Sequence, residues 1–464
     1  MEKLKVLDLK TRELSADLTS DLYFYENKVL RAINDDYVDH IKTMLNNGFI
    51  DELMRKHLFP KTKISNIEIE GYSLVIEHEN IIHWNYPYEW SFSMLKDASL
   101  LILEVNDIAN KYNYQIMDAH SGNVTFNMNK PQYIDLGSFI KFNNQENPTW
   151  VSYSLFYNYF YIPLYLWSKG YSEIARNFFL VRGRFNEQEF FKIKHPILSF
   201  FIGSYGGKIA TNIKTIVLTS ESKIKFKIKN SFKKIMALLI HKVFKKYFTI
   251  RKIKHQIFKI KKPIEKSMWS DYHSKTKPSN KKRFIRITEI IATLKDATSL
   301  TEVASNQGKF AQFVLENTHL ERIIASDYDR EAVDTMYLNC KNNNQFLPIL
   351  LDVAKPQGRM CDKPVTERIK GDIVVALAVT HHLVLTQGNP IDYIFRQLSS
   401  LSNKYVIVEF MPIGLYYGDI ENIPQVPDYY NLDWFKSNFI KYFDLILDEK
   451  LEINRHVFVG KLKT

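Results

Sequence analysis

The feature that most constrains this chain is how it ends. Two strand-like runs, Leu445–Ile453 and His456–Leu462, are separated only by Asn454 and Arg455. A connection that short forces the two runs to pair antiparallel. Upstream, from residue 286 on, strand-like and helix-like runs alternate. Strands are predicted over Ser299–Ser305, Arg322–Asp327, Leu347–Asp352, Asp372–Val379 and Lys404–Met411. Helices are predicted over Lys309–Glu316, Arg330–Asn343, Pro390–Ser402 and Leu432–Phe443. Alternation of this kind builds a parallel sheet with helices packed on it. The expected architecture is therefore α/β: a seven-stranded sheet, parallel except for a final strand that runs the other way between two neighbours.

The first strand–turn–helix–strand unit, Ser299–Asp329, is where a ligand would sit. Phe310, Phe313 and Val314 fall at helical spacing after the turn Asn306-Gln307-Gly308. Asp327 lies about 20 residues further on, where an acidic side chain can grip a ribose. Gly308 is the one glycine of the turn, and Ala304 stands where a first glycine is expected. A dinucleotide needs backbone room for its pyrophosphate. S-adenosylmethionine has no phosphate, so a looser turn suffices. A parallel sheet closed by an inserted antiparallel strand is the Rossmann-like class I methyltransferase topology, and a dehydrogenase would not end this way. Ligands bind outside the carboxyl ends of such strands. Ala304, Asn306 and Gly308 are thus expected at the cofactor, Asp327 on its ribose hydroxyls and Asp352 on its adenine amino group. Ala376 would lie beside the methionine end. His381 and His382 are candidate general bases for an acceptor hydroxyl; alternatively, one caps the next helix and the other packs. No Asn-Pro-Pro-Tyr run follows the fourth strand, which argues against methylation of exocyclic base amines.

A chain of 464 residues predicts more than one domain. Residues 1–60 mix short strands and helices, and Ile67–Glu77 alternates around a glycine as a hairpin would. A long helix follows from Ser91 to Lys111. Next come Asp118, Asn123 five residues later, a hairpin around Asn129-Lys130-Pro131, and Asp135-Leu136-Gly137. That is the order of groups in a protein-kinase-like catalytic lobe. There one Asp orients the hydroxyl nucleophile, while the Asn and the second Asp hold Mg²⁺ on the nucleotide. If this region binds Mg-ATP, Asn123 and Asp135 are the metal ligands. No glycine-rich phosphate loop precedes them, Met117 replaces the usual basic residue, and Arg31 is the nearest cation in a strand-like run. The expectation is a reduced α+β kinase-like domain over 1–215, a basic helical linker over 216–285 and the methyltransferase domain over 286–464.

The net charge of +12 belongs to one segment. Residues 201–290 carry 24 Lys and Arg against 4 Asp and Glu, so the rest of the chain is net acidic. Ser231–Ile250 reads as a basic amphipathic helix. It could be a solvated linker, a contact to anionic membrane through 220–262, or a nucleic-acid arm. The last is the least favoured, because no base-reading module accompanies it. Cys340 and Cys361 make neither a disulfide framework nor a zinc pattern, and the N-terminus lacks an apolar signal-peptide core. Both point to the cytoplasm, with peripheral attachment to the inner membrane face left open.

Taken together, the chain resembles a bacterial family of class I methyltransferases related to the nodulation protein NoeA, in which a kinase-like region precedes the methyltransferase. The residues that carry the resemblance are Tyr86-Pro87-Tyr88-Glu89-Trp90 with Ser93-Met94-Leu95-Lys96-Asp97, Asp118 and Asn123, Tyr133 to Phe139, Trp269 and Tyr272, Asn306 and Gly308, and Ala376 to Leu383. It covers nearly everything except the basic segment. It implies transfer of a methyl group from S-adenosylmethionine to a glycan or glycolipid oxygen. Glu302-Val303-Ala304-Ser305 departs from the Asp-x-Gly-Cys type of the family. Glu302 would then replace the acid that contacts the cofactor's amino group. Two alternatives stay open: a bifunctional methyltransferase-kinase acting on a surface glycan, and a membrane-docked adaptor without catalysis.

Overall fold

A computed structural model describes residues 2–6, 9–11, 17–142, 150–181, 185, 187–194, 250–263, 278–341, 343–359, 362–416 and 423–463. The segment 220–249, the pair Trp269 and Tyr272, and Cys361 lie outside the described residues.

The N-terminal half begins with β1 (Glu2–Leu4), β2 (Lys10–Thr11), β3 (Ser20–Tyr25) and β4 (Lys28–Ile33). Helices α1 (Val38–Asn46) and α2 (Phe49–Arg55) follow, then β5 (Thr62–Ile64), β6 (Ile67–Ile69) and β7 (Val75–His78). Five of these strands form an antiparallel sheet in the order β2-β3-β4-β7-β5. The hairpin expected over Ile67–Glu77 does not form. β6 pairs in parallel with β1, while β7 joins β4 and β5. Gly71, at φ +89°, turns the chain there. Alternation in the two arms shows that each has a buried face, but not which strand each one pairs with.

Helix α3 (Phe92–Lys111) is the spine of this half. Ser91 caps it through Met94 N. Leu95, Ala98, Ile102 and Val105 recur at helical spacing and are buried. Strands β8 (Tyr114–Ile116), β9 (Val124–Asn127), β10 (Lys130–Tyr133) and β11 (Phe139–Lys141) make two small antiparallel pairs beside it. An aromatic helical stretch then leads to α4 (Ser172–Leu180). Helix α5 (Ile250–Lys259) is the described end of the basic segment. Its Ile253 and Ile257 are buried, and Lys254 pairs with Asp107 of α3 at 2.9 Å.

In the C-terminal half, α6 (Lys282–Thr293) starts inside the stretch expected to be linker. Then come β12 (Ser299–Val303), α7 (Lys309–Asn317), β13 (Arg322–Asp327), α8 (Arg330–Asn339), β14 (Phe346–Leu350), β15 (Gly371–Ala376), α9 (Ile391–Leu401), β16 (Ser402–Phe410), α10 (Leu432–Tyr442), β17 (Phe443–Glu452) and β18 (Arg455–Leu462). The sheet order is β14-β13-β12-β15-β16-β18-β17. The first five strands are parallel, and β18 runs antiparallel between β16 and β17. This is the class I methyltransferase order. Residues alternate between its faces with the strand period of two. Leu300, Ile373 and Val375 face α6 and α7, whereas Val303, Val374 and Ala376 belong to the core on the other side.

That second core is shared between the halves. It runs without a break from Ile102 and Phe126 to Tyr337, Leu347 and Phe410. The seam carries buried polar pairs as well. Glu89, 2% exposed, takes Arg368 Nη2 at 2.6 Å and Nη1 at 2.9 Å, and Arg368 is 4% exposed. The Arg368 guanidinium also lies 4.5 Å from the Tyr86 ring centre and donates to Trp84 O at 2.6 Å. Asp334 of α8 accepts from Ser93 N at 2.7 Å, Ser93 Oγ at 3.0 Å and Lys262 Nζ at 3.0 Å. A carboxylate from one half thus sits at the positive N-terminus of the main helix of the other. Tyr337 donates to Asp97 at 2.7 Å, and Lys96 donates to Ile260 O at 2.7 Å. The two quoted motifs, Tyr86–Trp90 and Ser93–Asp97, are therefore the seam.

Removing one member of a buried pair strands the other charge, at a cost of about 3–5 kcal/mol. Glu89→Ala should lower the unfolding free energy of the whole chain by that amount in an equilibrium denaturant titration. Two separated transitions in the wild type would contradict a shared core.

Candidate cofactor site

The loop after β12 is where backbone geometry is most unusual. Ala304, Asn306 and Gly308 take φ of +54°, +51° and +67°. Every second residue is therefore left-handed, the conformation that glycine adopts freely and that costs an L-residue about 1–2 kcal/mol. Asparagine tolerates it better than most residues. Neighbours fix the loop. Ser305 N donates to Ser326 O at 2.9 Å, Asn306 N to Asp327 Oδ2 at 2.7 Å, and Gly308 N to Ser305 O at 2.9 Å. A Cβ on Gly308 would lie 2.7 Å from Met336 Cγ and 3.1 Å from the Phe346 ring. Gly308 is thus needed for packing on α8 and β14 as well as for its φ. Ala378, just past β15, is left-handed too, at φ +51°. Strain of this kind persists only where the surroundings impose it, and it gathers at functional sites.

The strand ends place the expected acids side by side. Glu302 on β12 is buried, and its Oε2 has no hydrogen-bond partner. Burial pushes its pKa well above the usual carboxylate range, Asp327 adds to this, and the Ala311 amide partly offsets it. Burial likewise raises Asp327 to about 6, against the amide donors of Asp329 and Asn306. Asp327 Oδ1 accepts from Asp329 N at 2.8 Å and Oδ2 from Asn306 N at 2.7 Å, and the Tyr328 amide adds a third donor, which leaves the carboxylate some acceptor capacity for a ligand. Past β14, Asp352 Oδ1 accepts from the amides of Ala354 at 3.0 Å and Lys355 at 3.3 Å. Ala376 ends β15, buried next to Val303. Glu302, Ala304, Asn306, Asp327, Asp352 and Ala376 thus share the carboxyl edge of four adjacent strands. Acceptors dominate this edge. It suits a ligand that offers hydroxyls and amines, and three carboxyl groups disfavour a pyrophosphate.

His381 and His382 follow, with ring centres 4.1 Å apart. His381 is buried and its Nδ1 has no partner. Burial, then His382 and Arg455, push its pKa down to about 3; burial also lowers His382. At neutral pH the His381 ring is therefore uncharged, and it is a weaker base than a general base matched to its task. Behind it, Glu409 is fully buried. It takes both oxygens to Arg283 Nη1 at 2.8 and 2.9 Å, and accepts from Arg455 at 2.9 Å. Sequence reading missed Arg283 and Arg455, because nothing local ties two arginines to one distant glutamate.

In the N-terminal half, Asp118, Asn123 and Asp135 converge. Asn123 Nδ2 donates to Asp118 O at 2.9 Å and to Asp135 Oδ2 at 3.2 Å. His120 Nε2 lies 3.3 Å from Asp118 Oδ2. Burial raises the Asp135 pKa, against the nearby charge of Arg31. Arg31, on β4, pairs with Asp17 and donates to Ser20 Oγ at 2.9 Å. A Cβ on Gly137 would collide with Thr19 Oγ1, so this loop packs on the Asp135–Gly137 turn. Among the described residues, no three or more His, Cys, Asp or Glu side chains are grouped to hold a metal ion.

The chain is 25% identical to the nodulation protein NoeA of Rhizobium meliloti (strain 1021) over 359 residues, 73% of this chain and 71% of that protein. The chain is a NoeA homologue with a class I methyltransferase domain. No protein-family model matches it. Among solved structures it is similar to the PH0226 protein of Pyrococcus horikoshii OT3, at 13% identity and a TM-score of 0.33, covering 42% of this chain and 99% of that one. It is also similar to the N-methyltransferase NodS of Bradyrhizobium japonicum WM9 in complex with S-adenosyl-L-homocysteine, at 8% identity and a TM-score of 0.31, covering 42% and 91%. The fold assignment stands on the strand order rather than on these likenesses.

If the loop is held left-handed against the preference of Ala304, glycine should relieve it. Ala304→Gly is expected to stabilise the ligand-free protein by about 0.5–1 kcal/mol, after the extra unfolded-state entropy of glycine is counted. Chemical denaturation of the two proteins side by side measures this. A loss of stability would show that the Ala304 backbone is not strained.

Proposed function

We propose that this chain transfers a methyl group from S-adenosylmethionine to a hydroxyl oxygen of a glycan or glycolipid. The observation that carries the cofactor is the acceptor-rich edge formed by Glu302, Asp327 and Asp352 around a loop with three left-handed residues, on a sheet of class I order. Asp327 would take the ribose hydroxyls, Asp352 the adenine amino group, and the free Oε2 of Glu302 the amino group at the methionine end. The cofactor supplies an electrophilic methyl on a sulfonium. The chain's part is to hold donor and acceptor in line, where positioning supplies much of the rate. His381, neutral and with a free Nδ1, orients the acceptor hydroxyl, and His382, the less buried of the two, is the better placed to take its proton. The glycan acceptor rests on the kinship with a nodulation protein.

The proposed domain division is a kinase-like region over 1–215, a linker over 216–285 and the methyltransferase domain from 286. A second activity, phosphotransfer in the first region, is favoured by the convergence of Asp118, Asn123 and Asp135 with Arg31 facing Asp135. Asn123 and Asp135 would hold the Mg²⁺ of Mg-ATP. No helix among the described residues is long and apolar enough to cross a membrane. We place the protein in the cytoplasm, with residues 220–262 as its contact to anionic membrane.

Isothermal calorimetry with S-adenosylhomocysteine tests the first reading. Wild type should bind, and Asp327→Ala should not. Asp327 must be ionised to accept two hydroxyls. Its ligand-free pKa of about 6 therefore predicts affinity that is flat above pH 7 and falls below about pH 6, by up to roughly tenfold per unit. The sign for stability is the reverse. The carboxyl ionises less readily folded than unfolded, so the ligand-free fold weakens as pH rises from 3.8 to about 6. A wild-type protein that binds no S-adenosylhomocysteine at any pH would end this reading. For the second activity, Mg²⁺-dependent ATP binding that Asp135→Ala abolishes is the expected result. Absence of ATP binding would leave the N-terminal half a recognition module.

A further inference from the structure

We infer that the adenosine end of the cofactor pocket is built jointly by both halves of the chain, and that Arg176 is the group from the N-terminal half that closes it. The inference rests on the methyltransferase reading and adds a residue far from the sheet. A cavity of about 220 Å³ opens where β13 and β14 end. One wall is Tyr328, Leu351 and Asp352, from the C-terminal half; facing it are Tyr88, Glu173 and Arg176. Tyr328, which lines the cavity, directly follows Asp327 in the chain and is 54% exposed, so the cavity begins one residue from the ribose acid. A pocket for a whole drug-sized ligand is roughly 300–1,000 Å³. This one takes part of a ligand.

The chemistry of the walls selects that part. Among the described residues Arg176 is underbonded: its Nε is buried without a partner, and its Nη2 makes a 3.4 Å contact to Tyr88 O. Burial, then the neighbouring Arg330, bring its pKa down, and Glu173, itself paired with Arg330, offsets them only in part. A ligand acceptor or an aromatic face would supply it. Asp352 presents the complement, since Oδ1 is taken by backbone amides and Oδ2 meets no donor among the described residues. A donor fork and a carboxylate on opposite walls read a ring that offers an acceptor nitrogen beside an amino donor, which is the edge of adenine. A 6-oxo purine would present an acceptor to Asp352 instead. The wall is also held in place. Arg330 of α8 donates to Ser172 Oγ at 2.7 Å and pairs with Glu173 at 2.8 Å, clamping α4 to the start of α8. The Glu89–Arg368 pair fixes the backbone beside Tyr88.

The experiment is calorimetry on the full chain with three probes: S-adenosylhomocysteine, adenosine and S-inosylhomocysteine. Wild type should bind the first two and discriminate against the third. Arg176→Ala should weaken S-adenosylhomocysteine and adenosine alike, by about tenfold or more, with an unchanged unfolding midpoint. Arg176→Lys keeps the charge but loses the fork; it should weaken both less, and it decides the matter if the alanine variant does not fold. A folded variant that keeps wild-type affinity for both probes overturns the inference, as does a loss confined to S-adenosylhomocysteine. If wild type binds adenosine through Arg176 but not S-adenosylhomocysteine, the cavity stands as a nucleoside site and the methyltransferase reading falls. If neither binds, both fall.

Discussion

The buried pair between Glu89 and Arg368 is the contact on which the rest of the molecule turns. Two charges removed from water are costly unless every donor and acceptor is matched. Here the guanidinium takes both carboxylate oxygens, the Trp84 carbonyl and the Tyr86 ring. Apolar contacts alone would let two surfaces slide. A matched pair inside a continuous core allows one register between them, and Asp334 at the N-terminus of α3 repeats that constraint further along. The N-terminal half is therefore a fixed neighbour of the sheet rather than a tethered one. A wall of the cofactor region can be supplied from outside the sheet only because of this.

At the strand ends the protein concentrates costs that a merely structural loop would avoid. Two non-glycine residues are held left-handed, a glutamate oxygen goes unpartnered among the described residues, and two carboxyl groups are buried, Asp327 close enough to raise the pKa of Glu302. Each of these states is expensive alone. Their coincidence at the carboxyl ends of β12 and β13 is what a ligand with hydroxyl and amine donors would relieve. The two histidines past β15 differ in kind. Burial keeps His381 neutral, so it can orient a hydroxyl more readily than it can deprotonate one.

The N-terminal half shows the same economy. Asn123 ties Asp118 to Asp135 across a turn, a hairpin and a second turn. The loop at Asp17–Thr19 lies on the Asp135–Gly137 turn and supplies the counter-charge to Arg31.

Much of the C-terminal half was legible because its signals are local. Apolar alternation with period two marks the strands, a period near 3.6 marks the helices, and the two residues between Ile453 and His456 leave no room for anything but an antiparallel turn. Asn306 could have signalled the left-handed loop from its own tolerance of positive φ; Ala304 could not, because alanine takes that conformation only when its neighbours compel it. Sequence by itself thus determined the order of elements, the inserted last strand and the identity of the acids at the strand ends. The tertiary structure alone decided that β6 and β7 separate, that α6 begins in the presumed linker, that Arg283 and Arg455 share Glu409, and that Tyr86–Asp97 is a seam. The reason is physical: strand partners, buried charge pairs and shared cores join residues hundreds of positions apart, and no local pattern of apolar and polar residues encodes which distant surface will be there to meet them.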